Sequence, residues 1–386
     1  MSKTTRFLIL FVLLILVVDA ALIVPIMLSR PSKTAGLESV EEAWQLIINN
    51  YVDKDKLDLK ELSDGAIKGM LESLDDPYSD YFDTEESEIV KNVNIEGSYG
   101  GIGAVVGIRD GQLLVIAPIE DTPAKQAGIK PRDSILEIDG ESTEGMSLTE
   151  AAYKIQGEPG TQVTLKVLHI DEEEPVILVI TREIIEVDSV FSEIRDDNIV
   201  YIQITFFSER TSTEIVAVLK EVLAQNIAGI ILDLRDNPGG PVNSAVSVAS
   251  QFLKEGTVLY AVDSNGKKQT WSVERGGLAT GQPLMVLVNS SSASASEVVA
   301  GALQDYGRAV IIGTQTFGKG SINLLKDLSD GSAIYITIGR WFTPNGRQIE
   351  GQGLTPDIII DRTGDEIAQG KDPQLDRAVE YLKSQL

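Results

Sequence analysis

The rhythm of hydrophobic and polar positions changes four times along this chain. Residues 7–28 (FLILFVLLILVVDAALIVPIML) are apolar except for Asp19 and follow Lys3 and Arg6. Those 22 residues at about 1.5 Å each span a bilayer core of about 30 Å. Residues 1–33 therefore read as a membrane signal-anchor with the basic end inside. A signal peptide cleaved after the apolar run that ends at Val18 is the competing reading, and either one exports the remainder. Residues 34–95 carry helical spacing. Trp44, Ile47 and Ile48 fall on one face of Val40–Tyr51, Leu62–Leu74 repeats the pattern, and the turn-rich joint DDPYSDYF follows at Asp75–Phe82.

From residue 96 to 184 the texture becomes one of glycine, β-branched residues and short turns. YGGIGAVVGIRDGQLLVIAPI predicts a glycine-rich loop, a strand, a turn at Asp110-Gly111 and a second strand. A short helix (DTPAKQAGI), a strand turning at Asp139-Gly140, a capped helix from Ser147 to Ile155 and a closing strand pair complete the segment. His169, between the first strand of that pair and the charged run DEEEP, is expected at the surface. Residues 185–362 alternate strands and helices, as in a sheet layered with helices. NIVYIQITFF, Ala228–Leu234 and Thr257–Val262 predict strands, Ser212–Ala224 and Pro241–Leu253 helices. Ile322–Leu328 and Ala333–Trp341 flank the hairpin signal SDGS, and residues 363–386 end in a helix, DPQLDRAVEYLKSQL.

Within this α/β part, Pro283–Ser321 concentrates the chemistry. The apolar run Leu284–Val288 predicts a buried strand, and Ser290, Ser291, Ser292, Ser294 and Ser296 follow it. Val298, Val299, Ala302 and Leu303 then set a helix beginning near Ser294. A hydroxyl at a helix N-terminus sits beside unpaired backbone amides suited to an oxyanion. After the strand Arg308–Gly313 comes TQTFGKGS, with Lys319 between two glycines.

Composition narrows the chemistry. The chain has no cysteine and one histidine, which removes a thiol nucleophile, a Cys-type zinc site and an HExxH metal pair. No metal or organic cofactor is expected. A net charge of −25 opposes a nucleic-acid partner. His169 is the one possible member of a Ser-His-Asp triad, and with it expected at the surface, lysine is the alternative base for a serine nucleophile. Bringing its pKa from about 10.4 to about 7 takes roughly 4.6 kcal/mol at 1.36 kcal/mol per unit, which burial supplies. Lys319, beside an apolar strand and 25 residues after Ser294, is the best-placed lysine.

SASASEVVAGALQDYGRAVIIGTQTFGKGS resembles the signature of the carboxyl-terminal processing peptidases, the tail-specific serine-lysine proteases of family S41. The resemblance runs from LDDPYS through a PDZ-like segment, LDLRDNPGG and FTPNGRQIEGQGLTPD to DPQLDRA. It implies a crotonase-like α/β protease core over residues 185–362, a PDZ domain inserted at 96–184, and an N-terminal helical region. It further implies Ser294 as nucleophile, Lys319 as general base, and Ala295 and Gly240 N–H as oxyanion donors, with Gly239 a rival for the second. Glu297 matches a family position, although a glutamate in a first helical turn also complements the helix dipole. Gly100, Gly101 and Ile102 match the loop that offers amides to a peptide's C-terminal carboxylate. In two places the chain departs from the family. Asn323 stands where relatives carry the glutamine that follows the lysine, and Gln156 stands where many carry arginine. The expected partners are protein substrates with free, apolar C-termini and a membrane, with homo-oligomerisation left open. A PDZ scaffold on an inactive core is the non-enzymatic alternative.

Overall fold

The computed structural model describes residues 36–91, 97–109, 112–119, 121–146, 148–170, 172, 174–195 and 197–385. The anchor or signal stretch, the Asp110-Gly111 turn and Ser147 lie outside the described residues. No helix among the described residues is long and apolar enough to cross a membrane.

The chain divides into two units between Ala66 and Ile67. The first holds α1 (Leu37–Asn50), a 3-10 turn at Lys54–Lys56 and the start of α2 (Leu59–Glu72). Helix α1 closes where Tyr51 N–H donates to the Ile47 carbonyl, 2.9 Å. In the second unit the joint Asp75–Phe82 is not wholly irregular. Its last three residues form strand β1 (Asp80–Phe82), paired antiparallel with Ala333–Tyr335. Isolated three-residue strands carry little signal of their own, and the partner supplies this one. Helix α3 (Thr84–Ile89) starts on a capping box in which Asp83 Oδ1 accepts Glu86 N–H and Glu86 Oε2 accepts Asp83 N–H.

The β-rich segment forms a small sheet domain. Strand β2 (Ser98–Gly101) pairs with β9 (Glu183–Glu186), so part of the expected glycine loop is a strand. Between them lie β3 (Ala104–Arg109), β4 (Gln112–Pro118), α4 (Pro123–Gln126), β5 (Ser134–Ile138), β6 (Glu141–Ser142), α5 (Leu148–Ile155), β7 (Gln162–Leu168) and β8 (Val176–Thr181). The sheet order is β3-β4-β5-β7-β8, with β6 on β5. Alternation along β7 sends Val163, Leu165 and Val167 into a core with Ile102, Val115, Ile135 and Ile180.

The α/β part contains β10 (Val190–Ile194), β11 (Ile199–Ile204), α6 (Thr211–Leu223), β12 (Gly229–Asp233), α7 (Val242–Phe252), β13 (Thr257–Asp263) and β14 (Lys268–Ser272). After these come β15 (Leu284–Val288), α8 (Ala295–Asp305), β16 (Val310–Gly313), β17 (Ser321–Asp327), β18 (Ala333–Phe342), β19 (Ile358–Ile359), α9 (Gly364–Ala368) and α10 (Pro373–Gln385). Strand β14, which has no period-2 apolar pattern, was not expected from the sequence. One sheet runs β10-β11-β12-β15-β16-β19 and is parallel from β11 onward. Strands β12 and β15 are buried at every position, as a sheet covered on both faces requires. Leu284, Val286 and Val288 pack under α7 and α8 on one face. Met285 and Leu287 meet Ala378 and Leu382 of α10 on the other. A second sheet runs β1-β18-β13-β14, with β17 on β18. Strands β11, β12, β15 and β16 end on one edge, so the loops that follow them converge there.

Candidate active site

The loop after β15 sorts the five serines. Ser290 and Ser291 are exposed. Ser292 is fully buried, its Oγ donating to Leu234 O (2.8 Å), and Ser296 is fully buried, its Oγ donating to Asn237 O (3.0 Å). Ser294, half-buried, stands at the N-terminus of α8 with φ 52° and ψ −112°. A non-glycine residue at positive φ is strained by roughly 1–3 kcal/mol and persists only where its surroundings impose it. Here α8 behind it and the glycine turn in front of it do so.

That turn is RDNPGG, after β12. A Cβ on Gly239 would lie 2.8 Å from Ser294 Cβ and 3.0 Å from Ala295 N, so no larger residue fits beside Ser294. Gly240 is equally closed, because a Cβ there would strike the Phe207 carbonyl. The fully buried Asn237 holds the turn. Its Oδ1 accepts Gly239 N–H (2.9 Å), its Nδ2 donates to Ile204 O (2.8 Å), and its carbonyl accepts Ala293 N–H (3.0 Å). Gly239 N–H is thereby taken, whereas Gly240 N–H and Ala295 N–H have no hydrogen-bond partner among the described residues. The sequence raised no expectation for Asn237. Its place two residues before Gly239 was the available signal, since asparagine side chains bond backbone amides two residues on.

Glu297 is fully buried and accepts four hydrogen bonds. Oε2 takes Ser294 N–H and Lys319 N–H at 2.9 Å each, and Oε1 takes Gly318 N–H (2.8 Å) and Thr316 Oγ–H (2.5 Å). Burial pushes its carboxyl above the ordinary carboxylate range, and these four donors pull it back. It does more than complement a helix dipole, because it bolts the lysine loop to the serine turn.

Lys319 is half-buried, and its side chain pairs with no carboxylate among the described residues. Its Nζ lies 5.3 Å from the ring centroid of Tyr78 and 5.4 Å from that of Tyr335. Burial holds its pKa below the usual lysine value, against the opposing charges of Glu350 and Asp76. The cation–π attraction, about 0.5–1 kcal/mol for a partly exposed pair, does not reverse that direction. Ser294, Lys319, Gly239, Gly240 and Asn323 line one cavity of about 480 Å³, whose apolar wall includes Phe82, Phe206 and Leu325. Asn323 does not bond Lys319. Its Nδ2 donates to Tyr78 O (2.8 Å) and Thr337 Oγ (3.0 Å), and its Oδ1 accepts from Ser321 Oγ (3.0 Å).

His169 is buried, 9% exposed, and not a surface residue as expected. Its Nδ1 lies 2.9 Å from Oδ1 of the fully buried Asp133. The register Ser134↔Leu168 brings the two together, and neither lines the cavity that holds Ser294. In the sheet domain, Gly100 and Gly101 belong to β2, and the Gly100 carbonyl accepts Gly157 N–H (3.0 Å). Ile102 is 1% exposed and its carbonyl accepts Ala124 N–H (2.7 Å). Gln156 lines a cavity of about 610 Å³ beside Tyr99 and Gly100.

Residues 198–360 match peptidase family S41, residues 114–169 a PDZ domain, and residues 27–86 the N-terminal domain of the activating protease CtpB. The carboxy-terminal processing protease CtpA of Bacillus subtilis is 39% identical over 335 residues, which is 86% of this chain and 71% of that protein. The carboxyl-terminal-processing protease of Synechocystis sp. is 36% identical over 348 residues, 88% of this chain and 81% of its own length. Among solved structures, the photosystem II D1 C-terminal processing protease is 29% identical with a TM-score of 0.50, covering 83% of this chain and 92% of its own. Together these define a peptidase fold with a PDZ domain and an N-terminal helical region. The chain belongs to the carboxy-terminal processing proteases of peptidase family S41.

Proposed function

We propose that this protein is an exported endopeptidase that captures the free C-terminus of a protein chain in its PDZ domain and cleaves upstream with a Ser294–Lys319 dyad. One observation carries the reading. Ser294 and an ion-pair-free Lys319 line the same cavity, next to two backbone N–H groups without partners. As a neutral amine, Lys319 takes the Ser294 Oγ proton as Oγ bonds to the scissile carbonyl carbon. The developing oxyanion accepts from Gly240 and Ala295 N–H. The Lys319 ammonium then gives its proton to the leaving amine, and water, deprotonated by Lys319, hydrolyses the acyl-enzyme.

The PDZ part of the reading draws on the position of β3, an edge strand with α5 alongside, where an incoming peptide adds as a further strand. Residues Gly100–Ile102 lead into β3, next to the carboxylate end of such a peptide. The apolar stretch at residues 7–28 would hold the enzyme on the outer face of the membrane, a placement that surface proteolysis of intact cells tests.

The test of function uses the full chain in detergent with an unstructured polypeptide ending in apolar residues, and the same polypeptide amidated at its C-terminus. Lys319→Ala loses cleavage by about 10²–10⁴-fold, the range a general base supplies, Ser294→Ala loses at least as much because the nucleophile itself is gone, and amidation raises KM. Parental rates in both variants would remove the dyad. An unchanged KM on amidation would remove C-terminal capture.

A further inference from the structure

The Lys319 side chain is held in an unexpected way. Asn323 has both Nδ2 hydrogens and an Oδ1 lone pair committed to Tyr78, Thr337 and Ser321, so it is occupied away from the amine. What faces Nζ is a pair of rings, Tyr78 and Tyr335, at nearly equal distance. Tyr335 rides on β18. Tyr78 comes from the segment just before β1, which several bonds pin in place. Tyr78 N–H donates to Asp76 Oδ1 (3.2 Å), Ser79 Oγ donates to Asp76 Oδ2 (2.7 Å), and Ser79 Oγ accepts Thr337 N–H (3.1 Å). Asn323 and Thr337 are register partners in the β17–β18 hairpin, so one hairpin position fixes both ends of this segment.

We infer that Tyr78 and Tyr335 form an aromatic clamp that aims the Lys319 amine, and that Asn323 acts on that amine through Tyr78, whose carbonyl it holds, and not by bonding Nζ. This rests on Lys319 being the general base. The chemistry suits the task, because a base must be dehydrated and directed without being held as a cation. A carboxylate or amide oxygen at this place would hold the ammonium form. Two ring faces exclude water and attract the cation weakly. The charged groups around the clamp agree with it. Asp76 and Glu350 favour the ammonium, but Arg340 acts on Asp76 and stands 4.0 Å from Glu350. Glu297 is spent on N–H and O–H donors. Both phenols are pushed up by burial and remain protonated through neutral pH.

The experiment measures kcat, KM and the pH profile of the full-length enzyme and its variants. Tyr78→Leu lowers kcat by about 10–100-fold, as misaiming a catalytic group does, with KM changed little. It also moves the acid limb of the profile to higher pH, because water reaching Nζ stabilises the ammonium. Tyr78→Phe keeps the limb at the parental pH, since the ring and not the hydroxyl does the work, and Tyr335→Leu repeats the shift from the other side. Asn323→Leu gives a smaller shift of the same sign that disappears in the Tyr78→Leu background. A parental limb in both Tyr78→Leu and Tyr335→Leu overturns the clamp. An Asn323→Leu effect that persists undiminished without the Tyr78 ring overturns the indirect route. Lys319→Met separates the two readings. If it cleaves like the parent, the base assignment fails, and if it is inactive while the ring variants keep the limb, the clamp alone fails.

Discussion

Ser294 and Lys319 donate their backbone N–H groups to one and the same atom, Oε2 of Glu297, at 2.9 Å each. A single buried carboxylate thus fixes the relative position of the two loops.

Replacing that carboxylate by an amide tests the bolt. In Glu297→Gln one end of the side chain becomes a donor that faces backbone N–H groups. At least one buried N–H is left unpaired, at about 1–3 kcal/mol. The expected outcome is a lower denaturation midpoint by about that amount of stability, together with a kcat loss of roughly 10²-fold from displaced reacting groups. Equilibrium urea unfolding and steady-state kinetics report the two effects separately. A variant with parental kcat would show that the loops hold their places without Glu297.

The pH dependence follows from the lowered pKa of Lys319, caused first by burial. In the proposed dyad only the neutral amine accepts the Ser294 proton, so kcat is expected to rise with pH through the folded-state pKa of Lys319 and then level. The unfolded chain binds the lysine proton up to about pH 10.4 and the folded chain releases it earlier, so this group's contribution to stability increases between those two pH values. Lys319→Met removes the burial of an ammonium. It is expected to melt above the parent at pH below the folded pKa, with the gap closing in alkali. Thermal unfolding across pH checks it, and a gap independent of pH would contradict it.

Asn237 decides which glycine amide is free. In Asn237→Leu the Gly239 N–H and the Ile204 carbonyl lose their partners, each costing about 1–3 kcal/mol. The turn is no longer held with Gly240 N–H open. Cleavage falls with the stability. In Gly239→Ala, by contrast, a Cβ placed 2.8 Å from Ser294 Cβ stops cleavage by displacing the serine. Activity retained in Gly239→Ala would mean that the turn and Ser294 do not meet as closely during turnover.

On the opposite face of the sheet, Arg235 bonds Asp233, Asp372 and Gln374, tying the end of β12 to the start of α10. Asp233 is 1% exposed and also accepts the Tyr201 hydroxyl (2.6 Å). Arg235→Met strands a buried carboxylate and is expected to cost about 3–5 kcal/mol. Adding Asp233→Leu should recover part of the loss, because the unpaired charge is then gone. Denaturant midpoints of the two variants give the comparison.

The elements legible in the sequence were those with strong local periodicity. Leu284–Val288 is a strand because five consecutive apolar residues cannot be half-solvated, and α8 follows because Val298, Val299, Ala302 and Leu303 share a face. Composition excluded cysteine chemistry outright and left histidine chemistry a single candidate, His169, and the serine cluster with its lysine loop pointed to one region of the fold. Asp80–Phe82 and β14 were hidden, because each becomes a strand only by pairing with residues far along the chain or by closing a hairpin at a sheet edge.

Residue types and local spacing by themselves determined that a serine at a helix start and a lysine in a glycine-flanked loop stand on consecutive β/α units. Only the tertiary structure decided which hydroxyl reaches the cavity, that Gly239 N–H is taken while Gly240 N–H is open, that His169 is buried against Asp133, and that Asn323 serves Tyr78. The reason is one of range. Propensity and periodicity act over a few residues, whereas the Asn323–Tyr78 bond joins positions 245 residues apart. An amide's partner at that separation is settled by which strands pair and in what register.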